Sequence, residues 1–315
     1  MSGHTYSLSD VHLDTPSIVT IGVFDGVHLG HQRLVQRLVD EARATGRTSV
    51  VVTFFPHPDV VLKGVTGRYY LTTPEERARL LLDLGVDLVV THPFDDEVRH
   101  IRAAEFVDRL RTHLHMSALW VGRDFALGYK REGDVDFLRA QGQEKGFEVE
   151  TVDLENGDQG QVISSTRLRE ALAAGDVARV AALLGRYYAV SGEVVHGDHR
   201  GRLLGFPTAN LKVWEFLFLP RNGIYACWAY VDGKRRMAMT NIGIQPTFEG
   251  QALKVEAYLL DFDGDLYGQT VRLEFVEWLR PEERFDNIDA LVAQIQRDVD
   301  YGRELLTAVV QAESS

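Results

Sequence analysis

Two histidines three residues apart, His28 and His31, stand inside the run Gly22-Val23-Phe24-Asp25-Gly26-Val27-His28-Leu29-Gly30-His31. Glycines at 22, 26 and 30 allow a phosphate to approach the backbone closely, and Phe24 and Asp25 are read as part of the same phosphate-binding loop. Histidines at i and i+3 of a helix start face the same way, so both can donate to phosphoryl oxygens as charge builds on them. A second run, Ile163-Ser164-Ser165-Thr166-Arg167, stands at another helix start, where hydroxyls, free amides and a guanidinium converge. The planar fork of arginine matches phosphate geometry, which makes this run a second half of a triphosphate clamp. Phe54, His57 and Pro58 in the run FFPHP, and Asp124 and Phe125 in GRDFALG, offer rings and small residues for a slot that takes a flat ring, with Asp124 as a polar contact at its edge. Further on, Gly197, Gly201, Arg202 and Gly205 make a glycine-rich loop that runs into Pro207-Thr208-Ala209-Asn210. Backbone amides of such a loop wrap phosphates. A neutral hydroxyl from Thr208 and an amide oxygen from Asn210, on one face of an extended strand, can hold magnesium among them. Glu256 lies in KVEAYLLDF, where alternation puts Lys254, Glu256 and Tyr258 on one face and makes the carboxylate a candidate general base.

Taken singly, these features have plainer readings: capping histidines, a Ser-Ser-Thr helix cap, proline-fixed turns, a solvated strand glutamate. Their order along the chain gives them weight, because the elements between them put the first group on one edge of one sheet. Residues 18 to 24 and 48 to 55 are short β-branched and aromatic runs, as expected of strands buried on both faces. Between them Leu34, Val35, Leu38 and Ala42 form one helical stripe that Gly46 closes. Thr73, Pro74 and Glu76 make a capping box before Leu80, Leu81 and Leu84, and the strand VDLVV follows. A helix near 103 to 114, the strand SALWVG and the strand 147 to 154 complete five strands alternating with helices. That pattern predicts an α/β, Rossmann-like, doubly wound parallel sheet with its ligand crevice at the carboxyl ends of the strands.

After two short helices the patterning changes. Strand-like runs succeed one another from Tyr187, and Asp232-Gly233 marks a tight hairpin. An all-β antiparallel barrel is expected, since closure removes exposed edges, with a C-terminal helix carrying Ile288, Leu291, Val292, Ile295 and Val299 on its outside. The expected domains are 1 to 186 and 187 to 315.

The chain has 315 residues, 45% hydrophobic and 25% charged, which excludes fibrous and disordered classes and fits two domains. With 34 basic and 46 acidic residues the net charge is -12, so nucleic acid is not an expected partner. Cys227 is the sole cysteine, which rules out an intrachain disulfide and suits a reducing compartment. The amino terminus lacks a basic leader and no apolar stretch approaches the roughly 18 residues of a membrane span, so a cytoplasmic protein without membrane association is expected.

His-x-Gly-His after a first strand is a signature of nucleotidyltransferase sheets. GVFDGVHLGH, FFPHP, GRDFALG and ISSTRLR in this order resemble the adenylyltransferase module of the bacterial bifunctional riboflavin kinase/FAD synthetase family, with Ala126 and Leu127 departing from the more usual residues. The resemblance demands a riboflavin kinase module beyond residue 187, and HGDHRGRLLGFPTAN resembles that module's glycine-rich loop and Pro-Thr-Ala-Asn signature. Asn241-Ile242-Gly243 and Gly264-Asp265-Leu266-Tyr267-Gly268 match it as well. The resemblance implies two reactions: ATP phosphorylates riboflavin to FMN with Glu256 as base, and ATP adenylylates FMN to FAD with release of pyrophosphate, served by His28, His31, Ser164 and Arg167. It implies magnesium as cofactor and riboflavin, FMN, FAD and ATP as substrates and products, with small molecules as partners and at most a weak homo-oligomer. A monofunctional cytidylyl- or pantetheine-type transferase would lack Pro-Thr-Ala-Asn. A class I aminoacyl-tRNA synthetase would need a basic surface, and a flavin storage protein would need no paired phosphate sites.

Overall fold

The computed structural model describes residues 3–152, 162–197, 201, 204–247 and 250–313. The chain divides into two compact units, residues 1–165 and 166–315. In the first, six parallel strands lie in the order β1-β4-β3-β2-β5-β6: β1 Gly3–Thr5, β2 Ser17–Ile21, β3 Thr48–Phe55, β4 Leu88–Pro93, β5 Met116–Gly122 and β6 Glu148–Val152. Five of these are the expected strands. The sixth, β1, pairs in parallel with β4 through Gly3, His4 and Thr5. Three residues are too few to show a period, so only the open edge of β4 reveals this strand.

The crossover helices include α1 Leu29–Thr45, α3 Pro74–Asp83, α4 Ala103–Leu114 and α5 Val135–Lys145; a short α2, Pro58–Lys63, follows β3. All five residues of β2 are buried because both faces are covered. Val19 and Ile21 pack with Phe106, Val107, Leu110 and Leu114 of α4, while Val51 of β3 packs on the other face with Val35 and Val39 of α1 and Leu81 of α3. The local signals act as their chemistry requires. Gly46 closes α1 at φ 65°, and Thr73 Oγ1 accepts from Glu76 N at 3.1 Å with Pro74 at the first helical position. The strand order reverses between β2 and β5, so the crevice of the doubly wound sheet lies where the loops after β2, β3 and β5 emerge.

The second unit begins at Thr166, inside α6 Ser165–Ala174, and continues with α7 Val177–Leu184. These helices stand before the expected boundary at 186, yet Leu172 O accepts from Arg221 N at 2.9 Å, and Gly175 lies against Trp278. Then β7 Tyr188–Val195, β8 Ala209–Val213, β9 Gly223–Val231, β10 Lys234–Thr247, β11 Gly250–Leu259 and β12 Thr270–Arg280 close an antiparallel barrel in the order β10-β11-β8-β7-β12-β9. Asp232 and Gly233 both take positive φ, 49° and 71°, which is the two-residue turn whose twist matches the flanking strands. Tyr225 and Phe275 meet edge to face at 5.1 Å inside the barrel. The alternate residues Ala226, Trp228 and Val276 pack outside against Val299 and Leu306 of the final helix, α8 Ile288–Glu313. Gly302 lets α8 approach β10, since a Cβ there would strike the Met239 thioether.

Candidate functional site

The loop after β2 is conformationally constrained. Phe24, Gly26 and Val27 have φ of 53°, 82° and 42°, a left-handed run in which the two non-glycine residues cost of order 1–3 kcal/mol each and need compensating contacts. Those contacts are present. The buried Asp25 carboxylate accepts from Leu71 N at 2.9 Å and 3.1 Å and from Thr72 N at 3.2 Å, and Thr72 Oγ1 accepts from Gly26 N at 3.3 Å. The reading of Asp25 as a phosphate contact thus meets a carboxylate that organises the loop through backbone N–H groups. Gly22 is required because a Cβ there would lie 2.9 Å from the Phe24 ring folded over it.

His28 is the N-cap of α1. Its Nδ1 accepts from His31 N at 3.3 Å, which leaves the ring proton on Nε2 as a donor. The His28 and His31 rings stack at 3.6 Å between centroids, and Phe24 meets His31 edge-on at 5.1 Å. His31 Nδ1 is enclosed, although the residue as a whole is partly exposed. Burial first, then His28 and Arg77, hold its pKa well below the usual 6.5. His31 is therefore an uncharged donor at neutral pH, and Gly30 fits beneath the pair with room for a Cβ only 3.3 Å from the His28 ring. Ser165 Oγ joins this loop by donating to Asp25 O at 2.9 Å. Ser164 precedes it, half-buried, and Thr166 and Arg167 follow in the first turn of α6, within the second unit.

The runs read as a flat-ring slot emerge beside that loop. His57 caps α2, its Nδ1 accepting from Asp59 N at 3.0 Å with Pro58 at the first helical position, and its ring meets Tyr69 edge-on at 5.0 Å. Phe54 packs edge-on against Phe94 at 5.6 Å. Phe125 packs on the core and Asp124 is exposed after β5. A residue that patterning missed ties two of these loops together: the fully buried Arg77 of α3 donates from Nη1 to Val23 O at 2.9 Å and from Nη2 to Phe54 O at 3.0 Å. Arginine in the first turn of an amphipathic helix reads as a surface charge, so only tertiary burial distinguishes it.

In the second unit the polar residues converge on two cavities. One, of about 430 Å³, is lined by Thr208, Asn210, Asn241, Lys254, Glu256 and Glu282 and by apolar Ile224, Met239, Phe285, Leu291 and Ile295. The other, of about 570 Å³, is lined by Thr208, Asn210, Phe262, Asp265 and Tyr267. Both volumes suit a bound small molecule. Thr208 and Asn210 belong to both. Antiparallel pairing sets Glu256 between Asn210 on β8 and Asn241 on β10, so the three polar groups share one face of neighbouring strands. Lys254 Nζ pairs with Glu256 Oε1 at 2.9 Å, and Asn241 Nδ2 donates to Glu282 Oε1 at 3.1 Å. Arg280 grips Asp298 of α8 through three contacts of 2.7–3.1 Å at the cavity wall; Glu282, Arg280 and Asp298 went unread because nothing local marks them. Gly197 and Gly201 abut these residues: a Cβ at 197 would collide with the Asn210 amide, and one at 201 with Phe206 O and, at 3.2 Å, Thr208 Oγ1. Gly205 takes φ 85°; Arg202 lies outside the described residues.

Among the described residues, no three or more His, Cys, Asp or Glu side chains cluster to form a metal cage. The donors present fit magnesium of another kind. Asn210 Oδ1 is buried without a hydrogen-bond partner among the described residues, beside the Thr208 hydroxyl, a neutral oxygen pair suited to a cation that takes most of its charge compensation from phosphates.

A doubly wound sheet with a histidine-capped helix at its crevice, joined to an antiparallel barrel with paired small-molecule cavities, defines a two-unit transferase class. The FAD synthetase family model matches residues 10–167 and the riboflavin kinase model residues 184–306. Bifunctional riboflavin kinase/FMN adenylyltransferases are similar along nearly the whole chain. That of Listeria monocytogenes is 37% identical over 292 residues, covering 92% of each chain, and that of Escherichia coli K12 is 39% identical over 289 residues, covering 91% of this chain and 92% of its own. The chain belongs to the bifunctional riboflavin kinase/FMN adenylyltransferase family. A solved structure described as a macrolide-efflux protein from Streptococcus pneumoniae superposes with a TM-score of 0.86 at 30% identity, covering 96% of this chain and 98% of its own.

Proposed function

We infer that the chain makes FMN from riboflavin and FAD from FMN, consuming one ATP at each step. The observation that carries the kinase half is the sharing of Thr208 and Asn210 by two cavities, of which only the first holds Glu256. The first cavity, apolar with a polar end, receives riboflavin; the second receives ATP. Glu256 accepts the proton of the riboflavin 5′-hydroxyl as its oxygen bonds to the γ-phosphorus, the bond from γ-phosphorus to the bridging oxygen breaks, and ADP leaves. Lys254 holds the carboxylate in place. When bound by Thr208, Asn210 and the triphosphate, magnesium supplies neutralising charge. The loop glycines, with Arg202, wrap the phosphates.

In the first unit the nucleophile needs no base, because the FMN phosphate, with a second pKa near ~6, is already mostly a dianion at pH 7. A phosphate oxygen bonds to the α-phosphorus of ATP and pyrophosphate departs. Nε2–H of His28 and the neutral His31 donate to oxygens on which charge grows, and Ser164 and Ser165 hold the triphosphate. Phe54, His57, Pro58, Asp124 and Phe125 line the flavin slot. We assign the transferase to residues 1–186 and the kinase to 187–315, in a cytoplasmic protein without a nucleic-acid partner.

No helix among the described residues is long and apolar enough to cross a membrane, and an efflux role draws no support from the site. Riboflavin, ATP and magnesium incubated with the chain are expected to yield FMN and then FAD. Glu256→Gln is expected to lose at least a hundredfold in FMN formation while converting supplied FMN to FAD at the wild-type rate. Wild-type FMN formation by that variant overturns the assignment of the base.

A further inference from the structure

Arg77 is the largest fully buried side chain among the described residues, with no exposed surface. A guanidinium is rarely buried in this way, since loss of hydration is costly and an apolar side chain of similar volume would pack at lower cost. Nη1 goes to Val23 O in the loop after β2 and Nη2 to Phe54 O near the end of β3, Nε has no partner among the described residues, and Val23 O also accepts from Thr53 Oγ1 at 2.7 Å. Val23 is the residue before the left-handed run, and Phe54 begins the FFPHP turn. The buried charge is offset chiefly by Asp25, the carboxylate that fixes the same run from its other side.

We propose that Arg77 is a positioning residue for adenylyl transfer, a buried fork that holds the histidine loop and the turn after β3 in one register. The inference rests on the reading that the first unit carries that reaction. The fork is needed because two planar N–H donors reach two carbonyls at once, one in the loop after β2 and one near the end of β3, which a single ammonium cannot do. Its charge has a second effect. With burial and His28, Arg77 disfavours protonation of His31, so the ring stays a neutral donor.

The test uses the full-length chain with Arg77→Lys and Arg77→Met, assaying FAD formation from FMN, FMN formation from riboflavin, and hydrogen exchange across β2–β5 to follow folding. Arg77→Lys is expected to lose at least tenfold in kcat/KM for FAD formation and to keep the wild-type kinase rate. Arg77→Met is expected to lose more and to shift the acid limb of its FAD-formation profile to higher pH, since only His28 and burial then oppose protonation of His31. Arg77→Lys keeps the cation and is expected to keep the limb near its wild-type position. If Arg77→Met fails to protect β2–β5, Arg77→Lys alone decides. Wild-type kcat/KM in Arg77→Lys, or losses that follow the folded fraction with unmoved pH profiles, overturns the proposal. A wild-type chain that makes FMN but no FAD overturns the reading of the first unit and this inference with it.

Discussion

His28 serves a structural and a chemical task with different ring nitrogens, and substitution can separate them. Nδ1 caps α1 by accepting from His31 N at 3.3 Å, and Nε2 carries the proton that can meet a phosphoryl oxygen. Loss of a helix cap costs about 1 kcal/mol, which for a unit of this size lowers the melting temperature by roughly 2–4 °C. Loss of a donor that acts on transition-state charge costs about 2.7–4 kcal/mol, a rate factor of roughly 10²–10³. His28→Ala removes both; His28→Asn restores an oxygen that can accept from His31 N but places no imidazole in the crevice. Both variants are therefore expected to lose about 10²–10³ in kcat for FAD formation, while only His28→Ala loses the cap contribution in thermal melts. FMN formation from riboflavin should continue at the wild-type rate in both, because Glu256, Thr208 and Asn210 lie in the other unit. Coupled chromatographic assays of FMN and FAD read the two rates, and thermal melts of the same samples read the cap. If His28→Asn makes FAD at more than a tenth of the wild-type rate, the imidazole is a cap and nothing more, and the chemical role fails.

Burial is the leading cause that lowers the pKa of His4, His31 and His92 in the first unit below 6.5. The unfolded chain then binds protons first as pH falls through about 6.5, so the stability these rings confer is complete above that value and is lost progressively below it. Hydrogen exchange across β2–β5, corrected for intrinsic rates, should show weaker protection at pH 5.5 than at pH 7.5, and equal protection would refute this. Burial pushes the Cys227 thiol up to about 12, so a maleimide should label native protein negligibly over hours and react fully in denaturant; rapid native labelling would place Cys227 outside the barrel interior. Gly197→Ala drives a Cβ into the Asn210 amide and should lower FMN formation at least tenfold while leaving FAD formation from FMN intact. An unchanged kinase rate would separate Gly197 from the phosphate-transfer machinery.

Much of this protein is legible in one dimension because its signals are local. The sharp turns, the cap of α3, the Asp232-Gly233 hairpin and the both-faces-buried strands depend on φ preferences, caps and periodicity that adjacent residues specify among themselves. Spacing likewise brought His28 and His31 together, because one helical turn does the placing. Long-range burial escaped such reading. Strand β1 exists because β4 offers an open edge distant in sequence, as in the pairing of Thr5 with Val90 and Gly3 with Leu88. Arg77 looks like any helix-surface cation until the fold closes over it, and the contacts of the Asp25 carboxylate with the backbone of Leu71 and Thr72 arise only in the folded chain. Glu256 gained its neighbours, Asn210 and Asn241, only through barrel register. The amino-acid order alone determined which chemistry-bearing groups the chain carries and which short elements present them. The tertiary structure decided which of those groups are desolvated and what they face, since dielectric surroundings and hydrogen-bond partners come from residues distant in sequence.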